Sequence, residues 1–134
     1  MEVAEVTEVA KELPPPNVFD RMCPSRGVLE HVTSRWGVLV LGALFERGYR
    51  FSELRRRVSG VSEKMLAQTL QTLERDGFVR REAHPVIPPR VDYSLTPLGR
   101  EAAELVAALA HWSERRVPEV VAARGEYDER VTAP

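Results

Sequence analysis

The 134-residue chain predicts a mainly α fold carrying one small β-hairpin, an α+β arrangement, on three observations. Phe51, Leu54 and Val58, then Leu66, Leu70 and Leu73, repeat at helical spacing on either side of the turn Ser59-Gly60-Val61. Segments 78–83 and 91–95, the second of them alternating, read as two strands about a proline-rich tip, His84 to Arg90, too rich in proline to pair. Leu98, Ala102, Leu105, Val106, Leu109 and Trp112 then form the apolar stripe of a long helix. Helix, turn, helix and hairpin in that order are the plan of a winged helix-turn-helix.

Taken in order, Met1 to Lys11 forms at most a short acidic helix that Pro14, Pro15 and Pro16 stop, so residues 1–17 read as a flexible acidic, Pro-rich arm. Order is expected from Cys23, with Pro24 in the first position of a helix that carries Val28, Leu29 and Val32. Ser34 caps the next helix, apolar almost all round from Trp36 to Phe45, which makes it the buried axis, and Gly48 ends it with permissive backbone. Ser52 caps the first helix of the pair, and Ser62 caps the second, which reaches Asp76. Thr96 and Pro97 start the final helix, and Pro118 kinks it or begins a new turn. The expected division is an arm at 1–17, a winged helix-turn-helix domain with its dimerisation helices at 18–117, and a C-terminal tail or short helix at 118–134.

At 43% hydrophobic residues the chain can bury one core. Its net charge of −1 conceals a division along the sequence. Residues 50–90 hold nine basic and five acidic side chains, whereas residues 1–20 hold one and five, so the basic charge gathers on the helix pair and hairpin. The longest apolar run, Trp36 to Phe45, is too short to span a bilayer, and the single Cys23 excludes an internal disulfide. A cytoplasmic protein with no membrane partner is therefore expected. His31, His84 and His111 stand alone, without a nucleophile, a metal-ligand spacing or a phosphate-cradling loop, so no catalytic residue, metal or cofactor is expected.

The second helix has a dry face and a polar one. Lys64, Gln68, Gln71 and Arg75 fall opposite its leucines, where Gln can pair bidentately with adenine and Lys can approach guanine or phosphate. Ser62, Met65 and Thr72 complete the candidate base-reading surface. Arg55, Arg56, Arg57, Arg75, Arg81 and Arg90 are candidate backbone contacts, Arg90 being presented at the wing by the stiff Pro88-Pro89 step; its alternative is a hairpin charge that pairs with Glu82 or Asp92. Leu105, Leu109 and Trp112 are the candidate dimer seam. A ligand pocket between the final helix and the core, lined by Trp36 and Tyr93, is an alternative use of those aromatics, which are otherwise plain core.

In Cys23-Pro24, Arg35-Trp36, the run Arg50 to Arg56, Ser62-Glu63-Lys64-Met65-Leu66, Leu73-Glu74-Arg75-Asp76-Gly77 and the run Pro88 to Gly99, the chain resembles the HxlR family of bacterial transcriptional regulators, relatives of the MarR group. The resemblance covers residues 20–116. It implies a homodimer whose terminal helices form the interface and whose two recognition helices address a pseudo-palindromic operator in double-stranded DNA. It also implies a role for Cys23, which matches the cysteine that some members use to sense oxidants or electrophiles; a thiol at a helix N-terminus near Arg21 and Arg26 would favour thiolate. The alternative is that Cys23 is merely the position before Pro24. The effector is then a small ligand or an electrophile. A winged helix that binds protein instead of DNA is the rival function.

Overall fold

The computed structural model describes residue 13 and residues 15–134. The chain runs α1 (Pro24–Thr33), α2 (Arg35–Glu46), β1 (Tyr49–Arg50), α3 (Phe51–Arg57), α4 (Glu63–Arg75), β2 (Val79–His84), β3 (Arg90–Leu95) and α5 (Pro97–Thr132). Most of the expected arm, residues 1–12 and 14, lies outside the described residues.

Hydroxyl caps set three of the helix starts. Ser34 Oγ accepts from Gly37 N–H at 3.1 Å, Ser62 Oγ from Met65 N–H at 3.1 Å, and Thr96 Oγ1 from Gly99 N–H at 3.0 Å. Each satisfies a donor that the first turn leaves without a helical partner. Ser52, expected to cap α3, lies inside it. The N-cap is Arg50, whose N–H donates to Glu53 Oε1 at 2.9 Å, because the chain leaves β1 extended at Arg50 and the helix begins directly there.

The sheet is antiparallel in the order β1-β3-β2. Tyr49 pairs with Tyr93 and Arg50 with Asp92, making a third strand too short to show as alternation in sequence. The hairpin pairs Val79 with Leu95 through to His84 with Arg90, so its ladder reaches one residue further into the tip than expected. Left-handed backbone occurs at Gly60 and Gly77, in the turns that enter α4 and leave it. Gly48 is not such a position; its requirement is space, since a Cβ there would lie 3.3 Å from the Tyr93 carbonyl oxygen.

Leu41, Leu54, Leu66, Leu70, Leu73 and Val40 are sealed from solvent, and α2 is the axis on which α5 and α4 pack. Leu39 of α2 is nevertheless exposed, so its apolar girth exceeds what the core uses. The final helix turns a different side inward than its large residues foretell. Its buried residues are Val106, from the expected stripe, and Gly99, Ala103 and Ala107, small residues four apart that let the backbone approach its neighbours closely. Leu98, Leu105, Leu109 and Trp112 point to solvent.

Pro118 does not end the helix. The element is continuous from Pro97 to Thr132 with Pro118 inside it, which replaces the tail or short helix expected at 118–134. Proline removes one N–H donor, while the alanine, glutamate and arginine residues that follow are strong helix formers and carry the helix onward.

Candidate nucleic-acid interface

The interface is built on α4, because the same spacing that buries Leu66, Leu70 and Leu73 turns Ser62, Lys64, Gln68, Gln71 and Arg75 into solvent. Met65 is exposed and Thr72 half-buried at the flank of that face. Beside it runs a groove of about 250 Å³ lined by His31, Ser34, Met65, Gln68, Thr69 and Thr72. Five of the six candidate base readers therefore lie on one rigid helix, and the sixth, Ser62, caps its start.

A second track leads from the start of α4 to the wing. A cleft of about 660 Å³ is lined by Phe51, Ser52, Arg55, Arg56 and the turn to Glu63. Another, of about 500 Å³, is lined by Arg50, Phe51, Ser52 and the wing from Val86 to Val91. Phe51 and Ser52 line both, so the two are neighbours. Pro89 and Arg90 stand at the far end of a path that begins at Ser62.

The arginines divide by partner. Arg57 donates from Nε and Nη2 to the two Glu46 oxygens at 2.9 and 2.8 Å, fastening α3 to the end of α2. This pairing pushes the guanidinium further above its ordinary value and holds Glu46 below the usual carboxylate range, so Arg57 already ties α3 to the end of α2. Arg90 is held by Asp92 through Nε and Nη2, and Arg55 meets Glu63 at 3.1 Å. Among the described residues, no carboxylate lies within ion-pair distance of Arg50, Arg56, Lys64, Arg75 or Arg81. Arg81 shares its face of the sheet with Tyr93 and Ala83, whereas Arg80 and Glu82 lie on the other.

One contact has no sequence signal. His31 Nδ1 of α1 lies 2.5 Å from Asp76 Oδ2 at the C-cap of α4, joining residues 45 positions apart. It ties the helix that Cys23 begins to the helix that carries the reading face.

Cys23 is buried at 7% exposure and occupies the N-cap of α1. Its Sγ lies 3.0 Å from Ser25 Oγ and accepts from Asn17 N–H at 3.3 Å. The Ser25 contact first, then the two backbone donors, draw the thiol below its ordinary value, while burial and Asp20 oppose them. Arg21 and Arg26 are not the cause. Arg26 donates to the Phe19 carbonyl and faces Glu30 at 3.4 Å, so its charge is spent elsewhere.

Of the two uses weighed for the aromatics, the structure favours plain core. Tyr93 is core, tilted against Phe51 at 6.5 Å, and Trp36 is half-buried beneath Arg35. A cavity of about 390 Å³ does separate α2 from α5, but Val38, Gly42, Phe45, Ala107, His111 and Glu114 are among its lining and neither aromatic is. Among the described residues no group of His, Cys, Asp and Glu is placed to hold a metal ion, and no single helix is long and apolar enough to cross a membrane.

A rigid helix with an exposed polar face, set between a tight turn and a hairpin wing on a basic track, defines a helix-turn-helix transcriptional regulator. The family model described as HxlR-like helix-turn-helix matches residues 31–121, and the chain belongs to that family. It is 61% identical over 118 residues to the HTH-type transcriptional regulator YtfH of Escherichia coli, covering 88% of this chain and 94% of that protein. The solved transcriptional regulator ytfH from Salmonella typhimurium superposes with a TM-score of 0.79 at 59% identity, over 83% of this chain and 99% of that one. The redox regulator HypR in its oxidised form superposes with a TM-score of 0.64 at 33% identity, over 69% and 96%.

Proposed function

We propose that this regulator acts as a homodimer that reads a pseudo-palindromic operator in double-stranded DNA, one α4 per half-site. The observation that carries the reading is the face of α4 that bears Lys64, Met65, Gln68 and Gln71 in solvent with Thr72 at its flank, beside Ser62, which lines a cleft with Arg56. Gln68 and Gln71 read base edges in the major groove; Arg56, Arg75 and Arg81 neutralise phosphates and set register. Arg55 and Arg90 contribute only as far as Glu63 and Asp92 release them. Leu105, Leu109 and Trp112, large and exposed on α5, form the dimer seam, since a contiguous apolar strip of this kind is costly to leave in water.

Retardation of duplex DNA across a salt series tests this. Affinity is expected to fall steeply with salt, each neutralised phosphate adding about 0.9 to the logarithmic slope. A purified protein that retards no duplex at low salt would reverse the conclusion in favour of a protein-binding winged helix.

A second reading concerns the input. Cys23 is the redox or electrophile sensor: its thiol is lowered by Ser25 and the Asn17 amide, and it begins the helix that His31 joins to α4. That a structural relative is a redox regulator supports it. Modification at Cys23 moves α1, and through Asp76 the recognition helix, away from the spacing that fits two half-sites.

A further inference from the structure

The apolar tip of the wing has no work to do in the fold. Ile87 is fully exposed and Val86 half-exposed, set between Pro85 and Pro88-Pro89. The tip is braced from below. His84 Nε2 lies 2.8 Å from Asp92 Oδ2, the Arg90 guanidinium grips the same carboxylate, and Val86 N–H donates to the His84 carbonyl at 2.9 Å. The cation expected to project from the wing is thus folded back onto the strand, and an isoleucine stands in front of it.

We infer that Ile87, with Val86 beside it, is an apolar wedge for the minor groove of the DNA that flanks each α4 half-site. This rests on the DNA-binding reading above and adds to it the means by which the wing engages. Three observations carry it. The wing lines the cleft that neighbours the one at the start of α4, the two sharing Phe51 and Ser52, so DNA that lies on the start of α4 and follows them passes the tip. The clefts are lined by Arg50 and Arg56, with Arg55 paired to Glu63, and the two cations without an ion-pair partner match a phosphate backbone and not an apolar partner. The tip is narrow, proline-stiffened and braced at its base, so little order is lost when it is pressed between sugar edges. Apolar side chains of this kind enter the minor groove and pry at a base step, and flexible pyrimidine–purine steps yield most easily. The wing then reads deformability, whereas α4 reads base edges.

The test uses the full chain and a duplex selected by the wild-type protein from a random pool, labelled at both ends so that its bend is read by energy transfer. Ile87→Ser is expected to weaken binding about tenfold or more, the scale of an isoleucine that no longer leaves water, with the salt slope unchanged and the bend reduced. Ile87→Met, which keeps an apolar side chain, is expected to bind and bend as wild type. Thermal denaturation of all three should coincide, because Ile87 touches no core. The wedge is overturned if wild type binds and Ile87→Ser matches it in affinity and bend. It is equally overturned if the salt slope falls together with affinity, since the lost contact would then be ionic; neither outcome by itself names another partner for the tip. Failure of the wild-type protein itself to bind any duplex overturns the DNA reading as a whole, and is distinguishable because no variant is needed to see it.

Discussion

Arg90 and Asp92 stand two residues apart on one face of β3, and the guanidinium holds the carboxylate through Nε at 3.2 Å and Nη2 at 2.9 Å. Arg90 as the bare clamp of the wing is therefore only half the description: as folded, its charge is already answered. Asp92→Asn is expected to release it, raising affinity for DNA and steepening the logarithmic salt slope by about one unit. In an Arg90→Ala background the same substitution should do nothing, and an equal gain there would disprove the restraint.

The same pair has a pH signature. The Arg90 hydrogen bond, followed by that from His84, holds the Asp92 carboxyl below its usual value. A depressed carboxylate favours the folded arrangement above the ordinary carboxylate range and loses that contribution only as pH falls through its lower, folded value. Carbon-detected NMR titration should find Asp92 still ionised where an ordinary aspartate is half protonated, and Arg90→Ala should return it toward the ordinary value.

His31→Ala should uncouple α1 from α4. Losing the contact to Asp76 is expected to cost about 1 kcal/mol in urea denaturation, the usual net worth of a partly exposed hydrogen bond. Operator affinity should fall further than that loss explains if the contact positions α4, and by no more than that if it only adds stability.

Cys23 should alkylate at a pH below that of an ordinary thiol, because Ser25 and the Asn17 amide favour its thiolate. Ser25→Ala should move the midpoint of the iodoacetamide rate upward, while Arg26→Ala should leave it in place. An upward move with Arg26→Ala would restore the guanidinium as the cause.

Gly99→Ala should be severely destabilising, although alanine is the better helix former by about 1 kcal/mol. The added Cβ would lie 1.9 Å from the Phe78 carbonyl oxygen, which is backbone and cannot step aside. Leu66→Ala, which empties a sealed position without forcing anything apart, should cost about 2–5 kcal/mol. If Gly99→Ala raised the denaturation midpoint, the close approach of α5 to Phe78 would be wrong.

The sequence by itself determined the local pieces: the caps at Ser34, Ser62 and Thr96, the leucine stripe of α4 with its polar opposite face, the hairpin and the order of elements. These depend on residues within a turn or two of one another, and their physics is complete at that range. Tertiary structure alone decided the rest. Tyr49-Arg50 is a strand only because β3 lies beside it; α5 turns Gly99 inward where the Phe78 carbonyl leaves no room for a Cβ, and Ala103 and Ala107 inward with it; and Arg57 and His31 found Glu46 and Asp76, 11 and 45 positions away. Spacing along a chain says which side chains share a face. Which of them meets a partner is a matter of distance between segments far apart in sequence, and only packing sets that distance.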